Sequence, residues 1–235
     1  MEKKYQIIIL AFLFIILASL SFAFSPFFNI REFAIHSRIE IDKTSLRPYL
    51  NEFYGENIIF IAKEDLEERL LEHRFISSFE IEKTYPSKIH IIIQERKPTA
   101  WLKNNDHKLV FSADGIILEE IELEKELFLP QIEGFAYLFL EQRLLFPQEK
   151  KDLLNVLNKL DDQYLQKIER INSQNQQITL YLDNEITVNF GSSEKLEEKF
   201  SLLRSILNKL EQEESKAEYI NLRVINHPVI QYKEN

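Results

Sequence analysis

The hydrophobic positions are concentrated first in one long run near the N-terminus. No charged side chain occurs from residue 5 to residue 30, and residues 7–24 are almost purely Ile, Leu, Phe and Ala. Because about 20 helical residues cover the roughly 30 Å hydrocarbon core of a bilayer, this run predicts a transmembrane helix over residues 6–26, after a short tail of residues 1–5. The tail contains two lysines. By the positive-inside rule, we expect a cytoplasmic tail and an extracytoplasmic remainder.

A cleaved signal peptide is the alternative interpretation of this segment. Residues 21–23 (Ser-Phe-Ala) have the small-x-small form of a cleavage site, and the two lysines would form the basic region before the apolar run. The run is longer than the usual apolar region of about 7–15 residues, and bulky side chains continue to Phe28. This length favours an uncleaved anchor, and both interpretations predict export across the membrane.

Residues 27–97 follow the order strand, helix, helix, strand, strand. A short strand-like stretch at 29–36 precedes two amphipathic helical patterns, over 46–53 and 63–71. Apolar and polar residues then alternate in two further stretches, which are joined by a turn at residues 85–87 (Tyr-Pro-Ser). This order predicts a small α+β unit, with both helices packed on one face of a three-stranded sheet.

Residues 98–235 predict a second α+β domain with a mainly antiparallel sheet. Asp114-Gly115 between apolar stretches is a strong hairpin signal. We interpret residues 191–193 (Gly-Ser-Ser) as a helix cap and the alternating residues 218–224 as the last strand. The other predicted elements are strands at 177–182 and 186–190, and helices that follow Pro147 and residue 193.

Several short motifs, in this order, resemble the FtsQ/DivIB family of bacterial cell-division proteins. The strand-helix-helix-strand-strand unit beside a single span is similar to a POTRA module. The motifs are residues 55–60 (GENIIF), 85–100 (YPSKIHIIIQERKPTA), 112–115 (SADG), 129–134 (LPQIEG) and 218–224 (EYINLRV). The sequence departs from the family where Asn221 replaces the usual Asp. Residues 223–228 also lack the aromatic residue and the glycine that often follow in the family.

Composition excludes several kinds of function. The chain has 29 Lys and Arg against 38 Asp and Glu, a formal net charge of −9, so it repels nucleic-acid phosphates and we expect no nucleic-acid partner. Cysteine is absent and only 4 glycines occur, which excludes thiolate chemistry, cysteine metal sites and glycine-rich phosphate loops.

No catalytic motif stands out among the polar residues. The histidines, at 36, 73, 90, 107 and 227, do not have metal-ligand spacing, and no serine nucleophile elbow occurs. Adjacent acidic pairs are interpreted as solvated faces. We therefore predict no enzyme activity, no catalytic residue, no metal, no cofactor and no small-molecule substrate.

The resemblance implies a non-catalytic scaffold of the division machinery. Such a protein would lie at the division septum in the inner (cytoplasmic) membrane and bind partners of FtsB and FtsL type outside it, through a strand added to the β domain. Matching the family's C-terminal strand predicts Tyr219, Leu222, Arg223 and Val224 as partner-binding residues. For Tyr219 and Leu222, a place in the core is an equally good interpretation.

POTRA modules also occur in envelope protein transport. A chaperone or adaptor that binds unfolded substrates by strand addition is therefore the alternative function. Proteins of that class usually carry repeated modules and a membrane β-barrel. This chain shows one module and no series of amphipathic barrel strands, so the pattern favours the division scaffold.

Overall fold

The structure is a computed structural model that describes residues 2–37 and 43–233. Three stretches covered by the predictions lie outside the described residues: residue 1, residues 38–42 and residues 234–235. The chain divides into two compact units, Met1–Arg96 and Lys97–Asn235. Each unit buries a hydrophobic core of its own.

The N-terminal apolar run forms one continuous helix, α1 (Glu2–Ala23). Its side chains are exposed along almost the whole helix. Within the described residues, its segment Lys3–Ala23 is the one helix long and apolar enough to cross a membrane. Because apolar side chains exposed in this way are unfavourable in water, lipid is their natural solvent. A short 3₁₀ turn, Pro26–Phe28, follows the helix.

The rest of the first unit is a three-stranded sheet with two helices. Its elements are β1 (Glu32–Ser37), α2 (Lys43–Leu50), α3 (Lys63–Leu71), β2 (Ile76–Thr84) and β3 (Lys88–Glu95). Strand β3 lies in the centre of the sheet, parallel to β1 and antiparallel to β2. The predicted order of strand, helix, helix, strand, strand is confirmed.

Alternation along β3 explains why the two helices pack on one face of this sheet. Ile89, Ile91 and Ile93 are buried, and they share one face because alternate residues of a strand point the same way. They belong to one core with Leu46 of α2 and Leu66 of α3, neither of which is exposed to solvent. The apolar helix faces read from the sequence are therefore packed against the sheet.

The second unit is built on a nine-stranded sheet. The nine strands are β4 (Pro98–Asn104), β5 (His107–Ser112), β6 (Ile117–Glu122), β7 (Gln131–Glu133), β10 (Ile168–Gln174), β11 (Gln177–Leu182), β12 (Thr187–Gly191), β13 (Ala217–Asn221) and β14 (Val229–Tyr232). A separate two-stranded hairpin consists of β8 (Leu138–Leu140) and β9 (Arg143–Leu145). The order in the sheet is β14-β13-β12-β11-β10-β7-β4-β5-β6. Only the β13–β12, β10–β7 and β7–β4 pairs are parallel, so the sheet is mainly antiparallel, as predicted.

Three helices complete the second unit: α4 (Gln148–Lys159), α5 (Asp162–Gln166) and α6 (Leu196–Gln212). Leu203 and Leu207 on the apolar face of α6 belong to the same core as Val188 and Phe190 of β12. The rings of Phe190 and Phe200 meet edge to face, with their centroids 4.8 Å apart. This core fixes one face of β12 and its neighbours against the helices.

The predicted cap at residues 191–193 is wrong. Helix α6 begins only at Leu196, and the N-cap residue, Lys195, makes no side-chain capping hydrogen bond. Gly191 instead ends β12 with a φ of +67°, and Lys195 has a φ of +54°. The chain thus leaves the sheet through two left-handed residues before the helix starts, and a cap motif next to the strand cannot serve that helix.

The last strand was also misplaced. The predicted strand 218–224 corresponds to β13, which ends at Asn221, and a further strand, β14, follows it. Strand β14 is only four residues long, and β7, β8 and β9 have three residues each. Such short stretches do not carry enough periodicity to be recognised, and only their long-range pairing defines them.

A candidate partner-binding edge

The nine-stranded sheet has two edges of different chemistry. At one edge, β6 exposes the carboxylates of Glu119, Glu120 and Glu122. At the other, β14 consists of Val229, Ile230, Gln231 and Tyr232 and carries no charge. Charged side chains are a common device that keeps an edge strand from pairing with another chain. The β14 edge lacks this protection.

Strand β14 presents apolar surface as well as a free edge. Val229 and Tyr232 are 59% and 52% exposed. The strand pairs antiparallel with β13 on one side only, through contacts such as Ile220 with Ile230. Its outer backbone groups are therefore available to another strand, as at any sheet edge. Val224, in the loop between β13 and β14, is also exposed, at 57%.

The four residues predicted to bind a partner do not lie on one surface. Tyr219 is a half-buried residue of β13, an interior strand with β12 on its other side. Leu222 is not exposed to solvent, and its amide donates to the Asn189 carbonyl at 2.8 Å. Arg223 and Val224 are exposed. Arg223 and Val224 lie in the loop between β13 and β14, and Leu222 lies in the core.

Alternation along β13 accounts for this separation. Ile220 and Leu222 face the core, so Tyr219, Asn221 and Arg223 are directed to the opposite face of the sheet. Arg223 folds back there, because its backbone N–H and its Nε both donate to Asn221 Oδ1, at 3.2 and 3.3 Å. The uncharged amide oxygen of Asn221 thus accepts both hydrogen bonds.

Gly191 makes room for the arginine. A Cβ atom at Gly191 would lie 2.8 Å from Cγ of Arg223, so the aliphatic stem of Arg223 rests directly on the glycine backbone. Gly191 itself donates its N–H to Asn189 Oδ1 at 2.9 Å. Among the described residues, the guanidinium donates one hydrogen bond, from Nε, and its other donors can meet an acidic or carbonyl group.

An exposed ion pair lies at the C-terminal end of β14. Lys233 Nζ donates to Glu185 Oε2 at 2.9 Å, and the Lys233 amide donates to the Lys216 carbonyl at 2.9 Å. The hydrogen bond and the charge of Lys233 lower the pKa of Glu185, and the same contact raises the pKa of Lys233. Both side chains are exposed, so solvent screens this pair and it contributes little to stability.

A cleft among α4, α5 and α6 has a volume of about 440 Å³. Phe200, Leu203 and Leu207 are among the residues that line it. Arg204 pairs with Asp161 at 3.0 Å across its rim. Within residues 2–37 and 43–233, no cluster of three or more His, Asp or Glu side chains is arranged to hold a metal ion.

Two exposed residues of this edge were not predicted from the sequence. Val229 and Tyr232 were not recognised because β14 was not recognised. The signal in the sequence was weak: three residues of high β-propensity, Val229, Ile230 and Tyr232, follow Pro228 and are too few for a periodic pattern.

The span, the small βααββ unit and the large sheet define a single-pass membrane protein with a POTRA module and a β domain. The family model "POTRA domain, FtsQ-type" matches residues 28–96, and the model "Cell division protein FtsQ/DivIB, C-terminal" matches residues 100–223. The chain belongs to the FtsQ/DivIB family of cell-division proteins.

The chain is also similar to individual proteins of known name and to one solved domain. The cell division protein DivIB of Clostridium botulinum (strain Hall) is 25% identical over 239 residues, covering 97% of this chain and 91% of the relative. DivIB of Clostridium tetani is 26% identical over 215 residues, covering 87% of this chain and 80% of the relative. The solved extracytoplasmic domain of DivIB from Geobacillus stearothermophilus matches 51% of this chain and 97% of that domain, with 13% identity and a TM-score of 0.37.

Proposed function

We propose that this protein is a non-catalytic, bitopic scaffold of the bacterial division machinery. It recruits or stabilises small single-span partners of FtsB and FtsL type outside the membrane, by accepting a partner strand at the free edge of β14. Membership in the FtsQ/DivIB family supports the division role.

The uncharged edge strand is the observation that carries the proposal. Strand β14 combines unpaired backbone groups with the exposed side chains of Val229 and Tyr232, whereas the β6 edge exposes three glutamates. In strand addition, backbone hydrogen bonds supply affinity and the side chains on one face select the partner. Of the two edges of the described sheet, β14 has the properties that this mode of binding needs.

The arginine beside the edge adds specificity. Arg223 is held by Asn221 and Gly191 near the loop that leads into β14. A guanidinium presents five donors in a rigid fork and matches a partner's carboxylate or backbone carbonyls. We therefore assign Arg223 and Val224 to direct partner contact, Tyr219 to the neighbouring sheet face and Leu222 to the support of β13.

The membrane anchor completes the proposal. Lys3 and Lys4 at the start of α1 support a cytoplasmic N-terminus by the positive-inside rule, with the POTRA module and β domain outside. Confinement of the chain and its single-span partners to one bilayer raises their effective concentration toward each other. The site of action is the division septum of the cytoplasmic membrane.

The test is a pull-down of the full-length chain from its native membranes. The variant Val229→Lys/Tyr232→Lys places two charges on the β14 edge, and Arg223→Glu reverses the charge beside it. We expect both to release the small single-span division proteins, because lysines on an edge oppose strand pairing. The matched control, Glu119→Lys/Glu122→Lys, places two lysines on the β6 edge and retains the partners.

Two results would contradict the proposal. Retention of the partners by both β14-edge variants would exclude strand addition at that edge. Capture of unfolded secreted or outer-membrane proteins in place of single-span division proteins would indicate the transport function instead.

A further inference from the structure

The end of α1 and the loop between α2 and α3 carry exposed aromatic rings that neither the fold nor the partner edge uses. We name Phe22, Phe24, Phe27 and Phe60 the juxtamembrane cluster. They are 58%, 66%, 51% and 54% exposed, although aromatic rings are normally among the best buried side chains. Such an exposed patch marks a binding surface.

The rings of this cluster touch each other across two segments of the chain. Phe24, directly after α1, stacks on Phe60 of the loop, with ring centroids 4.5 Å apart and planes 22° apart. Phe22 and Phe27 stack with centroids 5.8 Å apart. A loop of the POTRA module therefore continues the apolar surface of the membrane helix.

Hydrogen bonds hold the loop in this position. Asn57 Nδ2 donates to the Ala23 carbonyl at the end of α1, at 2.8 Å, and Asn57 Oδ1 accepts from the Ile59 amide at 2.9 Å. The Ile58 amide donates to the Phe28 carbonyl at 2.9 Å. One asparagine thus satisfies a free carbonyl of the helix terminus and shapes the loop that carries Phe60.

The same end of the sheet exposes a further aromatic ring. Tyr85, 57% exposed, lies in the turn between β2 and β3. The Arg31 amide donates to the Ser87 carbonyl of that turn at 2.9 Å, and Lys83 Nζ donates to the Ile61 carbonyl at 2.6 Å. The turn therefore lies at the end of the module to which α1 is attached.

We propose that this end of the POTRA module rests in the interfacial layer of the bilayer, with Phe60 immersed in it and Asn57 clamping the loop to the end of α1. The occupant of the aromatic surface is lipid, because the surface is continuous with the span. Trp and Tyr are enriched in this layer, and Phe occurs on the apolar face of interfacial segments. Burying apolar surface there contributes about 25 cal/mol per Å². The inference rests on α1 as a membrane span and not on the division partners.

The charges around the loop set its depth. Glu52, Glu56 and Asp65 line the cavity beside Phe24 and Phe60. Carboxylates are costly in the hydrocarbon core, so they hold the loop at the surface and prevent deeper insertion. Attraction to anionic headgroups is not the binding force, and the contact is therefore insensitive to salt.

Depth-dependent fluorescence quenching tests the proposal on the full chain in phosphatidylcholine vesicles. Trp101 is the sole tryptophan, so a Trp101→Phe background gives one reporter per variant. Phe60→Trp reports the loop, and Phe75→Trp, at the opposite end of β2, is the matched aromatic control. Phe14→Trp, in the middle of α1, sets the signal of a fully inserted ring.

We expect lipids brominated near the headgroup to quench Phe60→Trp several-fold more than Phe75→Trp. Lipids brominated near the chain end should quench Phe60→Trp less than lipids brominated near the headgroup do. Equal, weak quenching of Phe60→Trp and Phe75→Trp would overturn the proposal, as would protection of Phe60→Trp only after a protein partner is added. Absence of quenching in Phe14→Trp would show that α1 does not span, and the anchor of the proposed function would fail as well.

Asn57→Asp examines the clamp separately. The carboxylate keeps an acceptor for the Ile59 amide and loses the donor to the Ala23 carbonyl. We expect the quenching of Phe60→Trp to fall severalfold in this variant, while the circular dichroism spectrum of the chain is unchanged. Unaltered quenching would overturn the role of Asn57.

Discussion

Gly115 lies where two hairpins of the β domain meet. It has a φ of +83°, and a Cβ atom there would be 2.1 Å from the carbonyl oxygen of Leu144. Gly191 also has a positive φ, but its nearest neighbour is the side chain of Arg223, which is exposed and can move. The same strained backbone angle therefore has different consequences at the two positions.

We expect Gly115→Ala to destabilise the β domain more than Gly191→Ala. Both variants acquire the left-handed strain of about 1–2 kcal/mol, and Gly115→Ala adds about 1–3 kcal/mol because a backbone oxygen must move. Urea unfolding followed by Trp101 fluorescence measures both. Equal losses of unfolding free energy in the two variants would show that the Leu144 backbone moves at little energetic cost.

His73 is a buried histidine in the POTRA module. Its Nε2 lies 3.2 Å from Ser45 Oγ, and its Nδ1 has no hydrogen-bond partner among the described residues. Burial lowers the pKa of His73 below its usual 6.5, and repulsion by Arg74 and Arg96 lowers it further. The folded module therefore resists protonation of this ring.

The stability of the module should fall as the pH drops below 6.5. In this range the unfolded chain binds a proton at His73 and the folded chain does not. The free energy of unfolding therefore decreases as the pH falls, until the pH reaches the lowered pKa of His73 in the folded chain. ¹H–¹⁵N NMR of β1, β2 and β3 during urea titration measures the effect. In His73→Gln the slope of unfolding free energy against pH should become smaller. An unchanged slope would show that His73 does not cause it.

At the scale of the element, two strands, β13 and β14, occur where the sequence predicted one last strand. β13 is paired on both sides and secures the sheet, whereas β14 is the edge. Deleting residues 219–224 would therefore remove an interior strand and dismantle the β domain. Variants that test partner binding belong on β14 and on the exposed loop before it.

Leu222→Ala and Arg223→Ala should distinguish a residue that stabilises the β domain from one that contacts the partner. Leu222 is fully buried, so its truncation should cost about 2–5 kcal/mol of unfolding free energy. Arg223 is exposed, and its truncation should leave stability nearly unchanged while it weakens partner capture. Urea unfolding and pull-down of the same two variants give both quantities. A stable Leu222→Ala variant that loses the partner would move Leu222 to the contact surface.

At the scale of the whole molecule, topology across the membrane decides which surfaces meet the partners. The chain has no cysteine, so a single introduced thiol reports its own side of the membrane. We expect a membrane-impermeant maleimide to label Asn226→Cys in intact cells. Glu2→Cys should be labelled only after the cells are permeabilised. The reverse pattern would invert the orientation and exclude extracytoplasmic partners.

Much of the fold was readable from local patterns. The apolar run, the two amphipathic helices and the alternating strands of the POTRA module depend on neighbours within one or two turns, and they were predicted correctly. The start of α6 and the division of 218–224 were not, because both depend on where distant strands pair. No local signal distinguishes β13 from an edge strand.

The sequence by itself determined the long apolar run near the N-terminus, the order of elements in the POTRA module, the family resemblance and the absence of a recognisable catalytic motif, because each is a property of residue type and spacing. Only the tertiary structure decided which strand is the edge, that Leu222 lies in the core while Arg223 rests on Gly191, and that Phe60 stacks on Phe24. These relations join residues far apart in the chain, and their partners are chosen by long-range packing and backbone pairing.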